Sequence, residues 1–329
     1  MNVTANRLFA ISLAVVVTAA SIAAEPWTPP RTPHGQPDMQ GVWFYGSSTA
    51  FERPEALGNQ KSYTAAEAEQ VMQSLIAADT EKSQPLSADR DAPEPGARIA
   101  QEADDNFSTM RTNLTKIDGQ YRTSQVVKPE NGRLPRKESG MDIFQKWLAA
   151  GHGQFDGPEI RPASERCVGP NGGPMAPLIG WFYNANMQIV QTSDYVMILA
   201  EMNHDARIIS LSDESRDSGF AQWMGNSVGY WEGETLVVNT ANFRPEQSWF
   251  AFPMSDQLRV TERFTLIDDN EIFYSYTFTD TELFTEPVTV EKNITRRAAG
   301  EQVFEYACHE GNYSTPSILA GARVQERGK

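Results

Sequence analysis

Leu258 to Thr279 reads LRVTERFTLIDDNEIFYSYTFT, two strands and the turn between them. Leu258, Val260, Glu262, Phe264 and Leu266 alternate with Arg259, Thr261, Arg263 and Thr265 before Ile267 closes the run. A two-residue period sends the two sets to opposite faces of a pleated strand. Both sets are long side chains, so this strand is either covered on both sides or lines a cavity. Asp268-Asp269-Asn270 is turn chemistry, and Glu271 to Thr279 returns as the partner strand.

The same pattern extends on both sides. Val228–Trp231, a turn at Glu232-Gly233 and Thr235–Thr240 make a second tight hairpin. Upstream, Met187–Gln191, Tyr195–Met202 and Arg207–Leu211 are short runs broken at Ser193-Asp194 and Asn203–Asp205. Downstream, Val288–Arg296 and Gln302–Ala307 read as strands, and Thr315–Val324 as a short helix. Successive short strands joined by tight turns predict a mainly β fold, an antiparallel barrel or strongly curved sheet. Gly41-Val42-Trp43 opens a first strand, Gly41–Tyr45, and a Gly-x-Trp in that place is similar to the start of lipocalin-like barrels.

Residues 166–329 form the expected β-rich body. Residues 25–165 form an irregular, partly helical region packed on it. Pro26 to Pro37 should be extended. Thr64-Ala65-Ala66-Glu67 is a capping box that opens a helix to about Ala78, with Val71, Leu75 and Ala78 on one face. Residues 80–105 read as a polar loop, Pro129–Gly132 as a turn, and Met141–Ala150 as a small helix.

The N-terminus predicts an address. Arg7 precedes the apolar run Leu8–Ala20, and the small residues Ser21, Ala23 and Ala24 follow. That is a secretory signal, residues 1–24, cleaved near Ala24. The run is shorter than the ~20 residues of a membrane span. No later stretch is apolar for the length of a span, so the mature chain is expected in the periplasm or secreted, without a span. The chain carries 43 acidic against 28 basic residues, net charge −15. That balance speaks against nucleic acid and anionic membrane surfaces as partners. Cys167 and Cys308 are the two cysteines. In an oxidising compartment they are expected to pair, with two buried thiols as the alternative.

Several strings are familiar together: Pro37-Asp38-Met39-Gln40-Gly41-Val42-Trp43, His204-Asp205-Ala206-Arg207-Ile208-Ile209, Trp223-Met224-Gly225-Asn226-Ser227-Val228-Gly229, Trp231 to Val238 and Tyr306-Ala307-Cys308-His309-Glu310-Gly311-Asn312. The chain thereby resembles a large family of secreted, mostly uncharacterised proteins of soil and marine bacteria. The resemblance implies export and a β-rich fold, and it transfers no activity. Where that family often reads Ser-Leu-Ile-Val-Asp-Pro, Gln125 and Lys128 depart from it.

Four histidines exist, His34, His152, His204 and His309. Histidine titrates near neutrality, so two of them beside carboxylates suggest acid–base chemistry. His204 lies in Glu201-Met202-Asn203-His204-Asp205-Ala206-Arg207, and His309 lies beside Cys308 and Glu310. The expected catalytic set is His204, His309, Glu201, Asp205 and Glu310. Arg207, Tyr306 and Asn312 would bind substrate oxygens, and Trp223 and Trp231 would supply apolar surface. The competing reading makes both histidines structural. No cofactor is expected, and a mononuclear metal held by His204 and His309 is the alternative. Gly225-Asn226-Ser227-Val228-Gly229 matches Gly-x-Ser-x-Gly, but a nucleophile elbow needs a following helix and a strand follows here. The leading expectation is a periplasmic enzyme, an isomerase, lyase or hydrolase acting on a small, partly apolar molecule. The alternative is a lipocalin-like small-molecule binding protein without catalysis. A third reading is an envelope interaction protein.

Overall fold

A computed structural model describes residues 27–82, 89, 114–169, 176–179, 184–212, 219–249 and 252–328. The signal segment and most of the 80–105 loop lie outside the described residues. The strands are β1 (Gly41–Phe44), β2 (Ser62–Tyr63), β3 (Lys116–Ile117), β4 (Gln120–Arg122), β5 (Val126–Lys128), β6 (Asn186–Gln191), β7 (Tyr195–Ala200), β8 (Ala206–Ser210), β9 (Asn226–Glu232), β10 (Thr235–Ala241), β11 (Arg259–Asp268), β12 (Glu271–Thr279) and β13 (Val288–Arg296). The helices are α1 (Ala65–Lys82), α2 (Ile143–Ala149) and α3 (Ser314–Arg327).

Nine strands, β1 and β6 to β13, close on themselves as a barrel. The seam is β1 against β13, with Trp43 opposite Arg296 and Phe44 opposite Thr295. A closed ring of nine strands cannot alternate direction all the way round, so at least one neighbouring pair must run parallel. That pair is β8–β9, with Ile209 opposite Ser227 and Ser210 opposite Val228. A parallel pair cannot be joined by a hairpin. The chain therefore makes a longer crossover between Leu211 and Gly225. All the other barrel pairings are antiparallel, as expected. β5 adds to the outside of the seam on β13, and β2, β4 and β3 form a separate small sheet.

Alternation decides what fills the barrel. Val260, Glu262, Phe264 and Leu266 of β11 are buried, and so are Ile272, Tyr274, Tyr276 and Phe278 of β12. Ile189, Ile198, Ile209, Val238, Val290 and Ile294 join the same core. The turns at one end are short. There the N-terminal segment closes the barrel: Trp27 Nε1 donates to Asp269, Arg31 pairs with Glu234 at 2.6 Å, and Met39 N donates to Gln191 Oε1 at 2.6 Å. The described connections at the other end include residues 45–61, 163–169, the tight turn 201–205, 242–249 and 252–258.

The capping box at Thr64 forms as expected. Thr64 N donates to Glu67 Oε2 at 2.7 Å, and Glu67 N donates to Thr64 Oγ1 at 3.2 Å. Hairpin β9–β10 turns at Gly233-Glu234, one residue later than expected, because Glu232 still pairs with Thr235. Gln302–Ala307 is a correction: it is not a strand. Its amides at Phe304 and Tyr306 are taken by the side chains of Glu201 and His204 instead of by a neighbouring strand. The tail helix extends beyond its expected ends and buries none of its residues.

Candidate functional site

The expected catalytic residues gather, but around a clasp. The tight turn after β7 carries Glu201, Asn203, His204 and Asp205, with Asn203 and His204 at positive φ. Glu201 is buried, and its Oε2 accepts from Phe304 N at 3.0 Å. His204 is exposed, and its Nε2 accepts from Tyr306 N at 3.1 Å. Asn203 Nδ2 donates to Gly169 O at 2.7 Å. Cys167 and Cys308 are bridged. Asn312 Nδ2 donates to Glu165 O at 3.1 Å. These side chains satisfy the backbone of two irregular segments that no strand can pair. His309 and Glu310 are exposed beside the bridge. The open depression there, about 510 Å³, is lined by Glu165, Glu305 and Glu310 and by neither histidine. Among the described residues, no cluster of three or more His, Cys, Asp or Glu side chains is arranged to hold a metal ion.

Asp205 is the titratable group of this clasp. Burial pushes its carboxyl up to about 6, against partial relief from the Gly169 backbone N–H and the His204 ring. Glu201 and Tyr45 are the neighbouring titratable groups. A raised acid stabilises the folded state when protonated. That contribution is full below about pH 3.8 and is lost as pH rises through about 6. The stability measured by urea unfolding should therefore carry a falling step between about pH 4 and pH 7. Asp205→Asn should remove that step. A step of equal size in the variant would show that Asp205 is not its source.

Arg207 does not join this cluster. It points into the barrel, 2% exposed. Its guanidinium makes two bonds to Glu262, one of them Nη1 to Oε1 at 3.1 Å. Its Nε donates to Ser227 Oγ at 2.9 Å and its Nη2 to Thr240 Oγ1 at 2.8 Å. Tyr274 OH donates to Glu262 Oε1 at 2.7 Å and accepts from Leu178 N at 2.8 Å. Lys292 lies on the same wall, wholly buried, with Nζ donating to Tyr45 O at 2.6 Å. Burial pushes its amine well below the usual lysine range, and Glu262 opposes that shift. Sequence reasoning did not single out Glu262 or Lys292 for the barrel's polar centre. Their signal was a charge in an otherwise apolar parity class.

A groove of about 540 Å³ lies on the outer wall over β8 to β11. Its floor is a row of outward side chains in register: Val228 stands opposite Asn239, and Asn239 opposite Thr261. Ile208, 54% exposed, and Tyr195 extend the apolar side. Asn226, Ala241 and Arg259 form the next row, and Gln222 and Gly225 bring the end of the crossover to the rim. Gly225 sits at φ +65°, where a Cβ would lie 2.8 Å from Ala241 O. Glycine is the residue that lets the crossover approach this closely. Behind the floor, Ser227 and Thr240 bond each other at 2.9 Å and bond Arg207. The buried ion pair thus holds the wall on which the groove lies.

Trp223 stands at the base of the crossover. Arg244 and Arg166 lie over its ring at 4.5 and 5.5 Å, an arrangement that ties the crossover to the clasp. Trp231 is partly buried against the core, with its Nε1 unbonded among the described residues. Neither tryptophan lines the groove.

No protein-family model matches the chain, and neither does any curated protein sequence. Among solved structures, the chain is similar to the crystal structure of a mutant of the fluorescent protein UnaG. The likeness is 18% identical, covers 35% of this chain and 71% of that chain, and has a TM-score of 0.20.

Proposed function

We propose that this chain is an exported small-molecule binding protein, with the outer groove over β8–β11 as its ligand site. The observation that carries the reading is the groove itself. Its volume falls within the ~300–1,000 Å³ usual for ligand pockets. Apolar Ile208, Val228 and Tyr195 share it with the amides of Asn226, Asn239 and Gln222. Such a lining binds an apolar body and orients a few polar atoms. Rigid strands supply the floor, which favours affinity because little ordering is needed on binding.

The acid–base reading draws less support. Glu201 and His204 hold backbone amides of the 303–307 segment, and Arg207 is committed to Glu262 inside the barrel. A family of secreted proteins and the Cys167–Cys308 bridge agree with work in an oxidising compartment. No helix among the described residues is long and apolar enough to cross a membrane.

The test fills the groove. Val228→Trp places an indole on the centre of the floor without touching the inward face. Wild-type protein should enhance the fluorescence of N-phenyl-1-naphthylamine at micromolar concentration, and the variant should lose at least about ten-fold in affinity, ~1.4 kcal/mol. Equal binding by both proteins would place the site elsewhere.

A further inference from the structure

We propose that the groove takes an organic anion, with the ligand's acid group seated on Arg259. This rests on the reading of the groove as a ligand site and adds the sign of the ligand's charge. The protein as a whole repels anions, with a net charge of −15. The groove runs against that background. Among the described residues, Arg259 is the charged residue in its lining, and no Asp or Glu lines it.

Most arginines among the described residues are spoken for. Arg31, Arg122, Arg136, Arg207, Arg244 and Arg263 each meet a carboxylate. Among the described residues, the Arg259 guanidinium meets two backbone oxygens, Asp256 O at 3.4 Å and Leu258 O at 3.0 Å, and no carboxylate. Both bonds use Nη1, so Nε and Nη2 remain as donors. The Asp256 carboxylate is engaged by Gln257 Nε2 at 2.9 Å. A guanidinium fixed by carbonyls at one corner presents the rest of its fork, which matches a carboxylate, sulfonate or phosphate. Asn239 adds to this. Its Oδ1 accepts from Thr261 Oγ1 at 2.8 Å, which leaves its amide hydrogens as donors on the floor. The Arg259 end thus offers Arg259 Nε and Nη2 and the Asn239 amide as donors, while Ile208 and Val228 supply the apolar end. The chemistry fits an amphipathic organic acid.

Two other depressions suit an anion less well. In the one beside α2, Arg136 is paired with Glu52 at 2.8 Å, and Lys137 Nζ is bonded to Thr281 O at 2.6 Å. The one at the disulfide is lined by carboxylates.

Two probes with one aromatic body test this. 8-Anilinonaphthalene-1-sulfonate carries a sulfonate, and N-phenyl-1-naphthylamine lacks it. Each is titrated into wild type, Arg259→Gln and Val228→Trp. The expected result is that Arg259→Gln weakens the sulfonate about ten-fold or more and leaves the neutral probe within two-fold. The wild-type affinity for the sulfonate should also fall with salt. If Arg259→Gln changes neither probe while Val228→Trp weakens both, the groove binds ligands but the anion assignment is overturned. If Val228→Trp weakens neither, the groove is not the site and both readings fall together.

Discussion

Replacing Glu262 by Leu should cost about 3–5 kcal/mol of folding stability, the usual loss when one partner of a buried ion pair is removed. The side chains of Arg207 and Glu262 are 1% and 0% exposed. Leucine at 262 leaves the buried guanidinium without its carboxylate, and it strips Tyr274 OH of its acceptor. The cost is that of an uncompensated charge, not the worth of the pair. The double variant Arg207→Met with Glu262→Leu shows the difference. It removes both charges at similar volume, keeps the Ser227–Thr240 bond, and should recover to within about 2 kcal/mol of wild type. Urea unfolding followed by tryptophan fluorescence measures both variants. A single variant that loses less than about 1 kcal/mol would mean that water reaches the pair. A double variant no better than the single would mean that the pair itself, not burial of a lone charge, holds the wall.

The barrel is legible because its strands alternate cleanly. Each strand from Met187 to Arg296 can be placed within a residue or two from a two-residue period and its turns. The closure is not legible. β1 and β13 lie about 250 residues apart, and no local pattern records their pairing. The parallel β8–β9 pair is hidden for the same reason, and with it the groove, whose floor is assembled from four strands. Gln302–Ala307 misleads because Val303, Phe304 and Tyr306 imitate a strand pattern. Phe304 is in fact 69% exposed, and the backbone is satisfied by Glu201 and His204. The sequence puts His204 near polar partners, but it cannot say whether an imidazole serves a substrate or a backbone amide. Arg207, Glu262 and Lys292 share a readable signal: each sits where parity demands an apolar residue. Grouping Arg207 with its sequence neighbours His204 and Asp205 misses this, because the strand directs its side chain elsewhere.

Removal of the Cys167–Cys308 bridge should lower global stability by about 2–5 kcal/mol, although the bridge lies outside the barrel. The reason is what the covalent loop encloses. The two cysteines are 141 residues apart, and β6 to β13 all lie between them. The bridge therefore restrains the unfolded chain of nearly the whole barrel, and the chain-entropy model puts that restraint at about 5 kcal/mol. A local effect accompanies it. Beyond β13, the chain is held by the Glu201 and His204 bonds, by Asn312, by Thr315 and by Arg323 to Phe155 O, and α3 buries nothing. Without the bridge these polar contacts have to hold the tail alone. Cys167→Ser with Cys308→Ser should unfold at lower urea than the oxidised wild type, and limited proteolysis should cut it between residues 298 and 313 before the barrel opens. Wild type reduced under native conditions should behave like the variant, which separates loss of the covalent link from loss of the sulfur atoms. An unchanged urea midpoint with faster tail proteolysis would confine the bridge to stapling the tail. The drop in midpoint is expected because entropy acts on the unfolded chain, wherever the bridge sits in the folded one.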